Sequence, residues 1–149
     1  MMHTKYITMK KPKQTKFDII YAALEQPELA SKILPRITTN ANPFELLRGC
    51  YLMYQDNEFV YVGVSRDIAG RLAQHRLEKT KQWNVIKYIP EDCYLDALKI
   101  EAFFIHNYKP KYNISHGNLF WSFLTSDNYD ENKIHRTGWI KKKSKLKFL

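Results

Sequence analysis

The chain is poor in the residues that staple or punctuate a fold. Its two cysteines, Cys50 and Cys93, show no paired spacing, so neither a disulfide framework nor a zinc knuckle is indicated. Two reduced thiols in a cytoplasmic protein are the simpler reading. The five glycines and six prolines form no repeat, and the lysine-rich end is the one low-complexity stretch. No apolar run approaches the roughly 20 residues of a membrane-spanning helix. The opening Met1-Met2-His3-Thr4-Lys5 leads into no apolar segment, so no signal peptide is read. Acid is missing from both ends: residues 1–16 hold five lysines, and residues 133–149 hold six lysines and Arg136.

What is present points to one ordinary domain with a real core. The 149 residues are 44% apolar and 14% aromatic, which argues against wholesale disorder. The net charge is +9, of which the two ends supply +12, leaving −3 for residues 17–132. Basic tails suit a polyanion, because each phosphate neutralised releases counterions. Solvated ends that merely keep the protein soluble account for the same charge. The case for nucleic acid therefore rests on the middle of the chain. The expected setting is cytoplasmic, or associated with nucleoid or nucleus, with no membrane partner.

Hydrophobic patterning predicts three zones: a basic arm and helical extension over 1–48, a core over 49–113, and an extension with a basic tail over 114–149, all within one structural domain. Phe17, Ile20 and Leu24 recur at helical spacing; Pro27 breaks the pattern and suits the start of a second helix, which Pro35 ends. Pro43-Phe44-Glu45-Leu46-Leu47 reads as a single turn of helix. Cys50–Tyr54 and Phe59–Val64 are rich in β-branched and aromatic residues and read as strands of a hairpin across Gln55-Asp56-Asn57-Glu58. Ser65 or Asp67 can cap a helix reaching about Leu77, Trp83–Ile89 reads as a third strand, and a helix is expected from about Cys93 to Tyr108. The order β-β-α-β-α predicts an α+β fold: a small, mainly antiparallel three-stranded sheet flanked by helices. Leu119–Leu124 is apolar enough to pack on it, and Asp127-Asn128-Tyr129-Asp130 reads as loop.

Within the core, Gly49-Cys50-Tyr51, then Tyr61-Val62-Gly63, then Arg71 and His75 on the next helix, then Glu101 and Asn113, resemble the pattern of the GIY-YIG nuclease superfamily. The resemblance covers residues 49–113, and the chain is similar to the catalytic domain of homing and repair nucleases. Either tripeptide alone is a weak signal; six positions in order on the expected elements are a strong one. Cys50 and Val62 replace the family's middle isoleucines and are expected to alternate away from the tyrosine face.

The residues also make physical sense singly. Tyr51 and Tyr61 share a sheet face only if the hairpin has an odd-length loop or a bulge; a two-residue turn at Asp56-Asn57 separates them. The reading adopted is one shared face. Arg71 and His75, four apart, project from one helix face, and the guanidinium fork suits a phosphate. Arg66 and Arg76 are assigned at most to the phosphate backbone. Glu101 has Ala97, Leu98, Phe104 and Ile105 at helical neighbour positions, so its carboxylate requires a compensating partner, either a divalent cation or a buried arginine such as Arg71. Asn113 orients a phosphate or a water, or caps a turn. His3, His106, His116 and His135 have no cluster spacing; Trp83, Trp121 and Trp139 can stack on bases, though packing is the better reading of the first two.

The resemblance implies a metal-dependent DNA endonuclease with one Mg²⁺ (or Mn²⁺) per active site held by Glu101. Tyr51 is then the general base, Tyr61 a hydrogen-bonding partner, Arg71 the phosphate ligand and His75 a proton relay. Lys109, Lys111, Lys141, Lys142, Lys143 and Lys145 are assigned to DNA. A homodimer or accessory protein is expected if both strands are cut. The alternatives are a structure-specific repair or recombination nuclease, a restriction-like enzyme, and a non-catalytic nucleic-acid-binding module that keeps the fold.

Overall fold

The computed structural model describes residues 15–39, 47–113, 119–127 and 129–147. The basic N-terminal lysines up to residue 14, the expected helical turn over 43–46, His3 and His116 lie outside the described residues. Two helices open the fold, α1 (Lys16–Leu24) and α2 (Pro27–Ile33), followed by a 3₁₀ turn (Leu34–Arg36). Thr15 caps α1 in a reciprocal box with Asp18, and Pro27 begins α2, where its missing N–H costs nothing. The core runs β1 (Gly49–Gln55), β2 (Glu58–Ser65), α3 (Ile68–Glu78), β3 (Val85–Pro90) and α4 (Tyr94–Tyr108), and α5 (Leu119–Thr125) follows. No described helix is long and apolar enough to cross a membrane.

The sheet is antiparallel throughout, in the order β2-β1-β3. Its hairpin turn has two residues, Asp56 and Asn57, both at positive φ, as a tight turn matching strand twist requires. Gln55 pairs with Glu58 and Tyr54 with Phe59, but Met53 pairs with Tyr61, so Val60 is an extra residue in β2. That bulge reverses the parity set by the turn. Tyr51 and Tyr61 therefore share a face, although the loop is the two-residue one that alone would have separated them.

Alternation along the strands divides the interior. Cys50, Leu52, Val62 and Ile89 face α1, α2, α4 and α5, where Ile20, Leu24, Ile33, Ile100 and Phe120 complete the larger core. Cys50 and Val62 thus do point away from the tyrosines. Tyr51, Met53 and Val60 face α3 through Ile68 and Leu72 in a smaller core, which Trp83 flanks.

The lysine-rich end is not a free tail. Ile140 bridges to Cys93, and Leu146 is 6% exposed within the larger core. Two charged residues on α4 hold this segment. Asp96, 1% exposed, accepts hydrogen bonds from the Ser144 hydroxyl at 2.5 Å and the Lys145 N–H at 2.7 Å. Lys99, 2% exposed, donates to Glu131 at 2.8 Å, Ser144 at 2.9 Å and the Leu146 carbonyl at 2.7 Å. Burying two charges costs several kcal/mol each (about that by general estimate), and these bonds offset it.

Candidate active site

The smaller core places the polar residues. Tyr51 is 1% exposed, and its ring lies across Gly63, where an added Cβ would stand 2.4 Å from the phenol carbon and oxygen. Any side chain at 63 would occupy the place of that ring, which explains a glycine opposite a tyrosine in the ladder. The Tyr51 hydroxyl lies 2.8 Å from Nε2 of His75, itself fully buried. Tyr61 completes the group, its ring centroid 5.9 Å from Tyr51 and 5.5 Å from His75. Lys81, in the loop after α3, sits over the Tyr61 ring at 4.8 Å.

Helix α3 presents His75 because Asp67 caps it by accepting from the Gly70 N–H, and Ile68 and Leu72 seat it on the sheet. Nδ1 of His75 has no hydrogen-bond partner among the described residues, and Oε2 of Glu78 stands 3.8 Å away. Burial, aided by Lys81 and Arg71, pushes the imidazole down to about 4, so it is neutral at pH 7. Burial also drives the Tyr51 phenol above its ordinary range, Tyr61 adds to this, and Arg71 opposes it. Tyr61 is raised by burial and by Glu101, with the Tyr51 hydroxyl and Arg71 pulling the other way. With both groups neutral, the imidazole tautomer sets the direction of this bond: the Nδ1–H form, with Glu78 nearest Nδ1, leaves Nε2 to accept from the Tyr51 O–H.

A cleft of about 880 Å³ opens beside the edge strand β2. Tyr61, Arg71, Glu101 and Asn113 line it, with Arg66 at its rim. Arg71 is oriented by Gln74, which accepts from Nη1 at 2.6 Å. Glu101 enters from α4, and burial raises its carboxyl to about 8. A carboxyl held neutral at pH 7 by lack of water, yet lining a polar cleft, suits one hydrated divalent cation. Among the described residues no three His, Cys, Asp or Glu side chains converge on a common point. A cation here would therefore depend on Glu101, water and substrate oxygens.

Asn113 lines the cleft with its amide already engaged, and the remaining expected residues fall elsewhere. Both ends of the Asn113 amide are engaged by Val62, accepting its N–H and donating to its carbonyl, each at 2.9 Å. Asn113 thus holds the exposed edge of β2 as a short surrogate strand. Arg76 lies over Trp83 at 5.8 Å, Lys109 caps α4 in the left-handed conformation, and Lys111 lies over Tyr112. Lys141, Lys142, Lys143 and Lys145 surround other hollows, at the start of α4 and beside Glu131, and Lys142 pairs with Asp92 at 3.0 Å. None of these seven lines the cleft. Arg136, Thr137 and Trp139 do; sequence reasoning left the first two in the tail and kept Trp139 as a residue able to stack on bases. For Gln74 and Glu78 a signal existed: each stands one helical turn after the residue it serves.

Comparison with known proteins coincides with this geometry. Residues 48–113 match the family described as GIY-YIG catalytic domain. The chain is 39% identical over 80 residues to UvrABC system protein C of Borrelia turicatae, covering 48% of this chain and 13% of the relative. It is 35% identical over 75 residues to UvrABC system protein C of Fusobacterium nucleatum, covering 44% and 13%. The matched stretch is thus about an eighth of those relatives' length. No solved structure matches the chain. The part of the chain that holds Tyr51, Tyr61, Arg71, His75, Glu101 and Asn113 is the part that matches the GIY-YIG catalytic domain family.

Proposed function

We propose that the protein is a divalent-metal-dependent DNA endonuclease that hydrolyses a phosphodiester bond in the cleft beside β2. The observation that carries this reading is the convergence there of a dehydrated carboxyl, Glu101, a guanidinium, Arg71, and a tyrosine joined to a tyrosine–histidine pair. Glu101 would hold the cation, which when bound supplies positive charge for the phosphate and the leaving oxygen. Mg²⁺ or Mn²⁺ suits a single carboxylate with water completing the shell. Arg71 binds and neutralises the scissile phosphate. A water oxygen bonds to phosphorus, its proton passes to the phenol system, and the bond to the leaving ester oxygen breaks. The leaving oxygen then takes a proton from solvent. Tyr51 accepts the water's proton as its own passes to Nε2 of His75, whose neutral state leaves it free to accept. Glu78, 3.8 Å from Nδ1, stabilises the imidazolium that results.

A second assignment of the tyrosines is favoured by one observation: Tyr61 lines the cleft, whereas Tyr51 is buried behind it. In that version Tyr61 meets the water and Tyr51 links it to His75. The test is cleavage of plasmid, branched and RNA substrates with Mg²⁺ or chelator, comparing the parent chain with Glu101→Ala, Tyr51→Phe and Tyr61→Phe. Metal-dependent DNA cleavage lost in Glu101→Ala and Tyr51→Phe, with binding retained, is expected. Near-normal cutting by Tyr51→Phe removes it as the base, and a heavier loss in Tyr61→Phe than in Tyr51→Phe selects the second version. Binding without cutting by the parent selects a non-catalytic module, and preference for the branched substrate selects a structure-specific nuclease. A cut through both strands would require a homodimer, an accessory protein or two successive events.

A further inference from the structure

Part of the cleft lining comes from residues outside the matched stretch 48–113. Arg136, Thr137 and Trp139 belong to the segment that follows α5, and their placement is built rather than incidental. Trp139 packs on Tyr94 of α4 with ring centroids 5.2 Å apart, and the next residue, Ile140, bridges to Cys93. Asp96 and Lys99 fasten the chain again a few residues on. From the other side, Nη1 of Arg66 donates to the Thr137 carbonyl at 3.1 Å. Gly138 makes that contact sterically feasible. It has φ +91°, and an added Cβ would stand 2.4 Å from Nη1 of Arg66.

Arg66, Arg71 and Arg136 thus line one cleft, and no carboxylate among the described residues pairs with any of them. Asp67, the other acid beside Glu101, is engaged as the cap of α3. The cleft's 880 Å³ equals the liquid volume of about 30 waters, more space than one phosphate and one hydrated cation fill. Guanidinium groups at a polar cleft wall with no carboxylate partner among the described residues match phosphate oxygens in charge and geometry.

We propose that residues 136–139 form a second wall of the DNA-binding cleft, in which Arg136 binds a backbone phosphate flanking the scissile one, beside an Arg66 seated by Gly138. This rests on the endonuclease reading and extends it: the substrate is held across at least two phosphates, one by Arg71 and one by the segment after α5. Arg136 is a binding residue and takes no part in proton transfer.

The test is the salt dependence of binding to a duplex oligonucleotide in chelator, using the full chain. Arg136→Gln should weaken binding at low salt by about 3- to 30-fold and reduce the slope of log affinity on log salt by about 0.9, the loss of one phosphate contact. Arg136→Lys should restore the slope while recovering only part of the affinity, because the fork is gone. Lys32→Gln, an equal charge change on α2, should leave the slope unaltered. Arg136 is exposed, so each variant should unfold within a few degrees of the parent. An Arg136→Gln slope equal to that of the parent or of Lys32→Gln overturns the proposal, as does absence of DNA binding by the parent. Metal-dependent plasmid cleavage, measured alongside, separates the two readings. Cleavage with an unchanged slope sinks the clamp alone, and a reduced slope without cleavage sinks the nuclease alone.

Discussion

Replacing Glu101 by glutamine should make the metal-free protein more stable in alkali, and the structure fixes the sign. Burial holds the Glu101 carboxyl at about 8, against 4.5 ordinarily. Between those values the folded chain keeps a proton that the unfolded chain has released. Stability is therefore lost as pH rises from 4.5 to 8 and levels off above 8, where both states are charged. The ceiling is the shift of about 3.5 units at 1.36 kcal/mol each, roughly 5 kcal/mol. Water entering the cleft mouth raises the effective dielectric, so about 1–3 kcal/mol is the realistic range. For a chain of this size that is roughly 3–10 °C in Tm. Tyr61 and Cys50, the groups that Glu101 itself perturbs, are raised above ordinary values of 10 and 9 and lie outside the range tested, so the difference between parent and Glu101→Gln isolates this carboxyl. In chelator the variant's advantage should widen from pH 5 to pH 9, and millimolar Mg²⁺ should erase it by stabilising the parent alone. A difference in Tm that stays flat across that range, or equal stabilisation of both proteins by Mg²⁺, would refute the reasoning.

Three further outcomes can be measured directly. Gly63→Ala drives a methyl into the Tyr51 ring, so it should cost about 1–3 kcal/mol in denaturant unfolding. By moving the phenol off His75 it should also lower the cleavage rate by about 100-fold; normal cutting would separate that hydrogen bond from catalysis. Asn113→Ala strands the Val62 N–H and carbonyl and should cost about 2–4 kcal/mol, with exchange of the Val62 amide accelerated. An unchanged Val62 amide would show that the clamp is dispensable. Glu78→Gln removes the carboxylate 3.8 Å from Nδ1 of His75 and should slow cleavage by about 3- to 10-fold with DNA affinity unaltered. A loss of affinity instead would move Glu78 out of the relay.

Much of this architecture was legible in the residues, and the gaps have physical causes. Helix and strand types followed from periodicity, and the dehydrated setting of Glu101 followed from its apolar neighbours at three and four residues. The shared face of Tyr51 and Tyr61 was legible only as a condition, because parity depends on the bulge at Val60. Nothing in Phe59-Val60-Tyr61 marks which residue will be extra. The dual bond of Asn113 to Val62 spans 51 positions and has no local signature. The lysine-rich end was misjudged because composition treats charge as solvated. Asp96 and Lys99, placed among the apolar residues of the first half of α4, were the missed clue: charges there require partners from elsewhere in the chain.

The fastening of residues 144–146 onto α4 alters what deletion experiments on this protein would measure. The helix turn that grips that segment is followed within one turn by Glu101. Cutting the chain after Gly138 would strip Asp96 of its Ser144 and Lys145 donors and leave Lys99 without Ser144 and Leu146, at about 1–3 kcal/mol for each buried charged group left short of partners. The shortened protein would lose cutting through damage to the scaffold of its own acid, well before any loss of lysines from the DNA surface was felt.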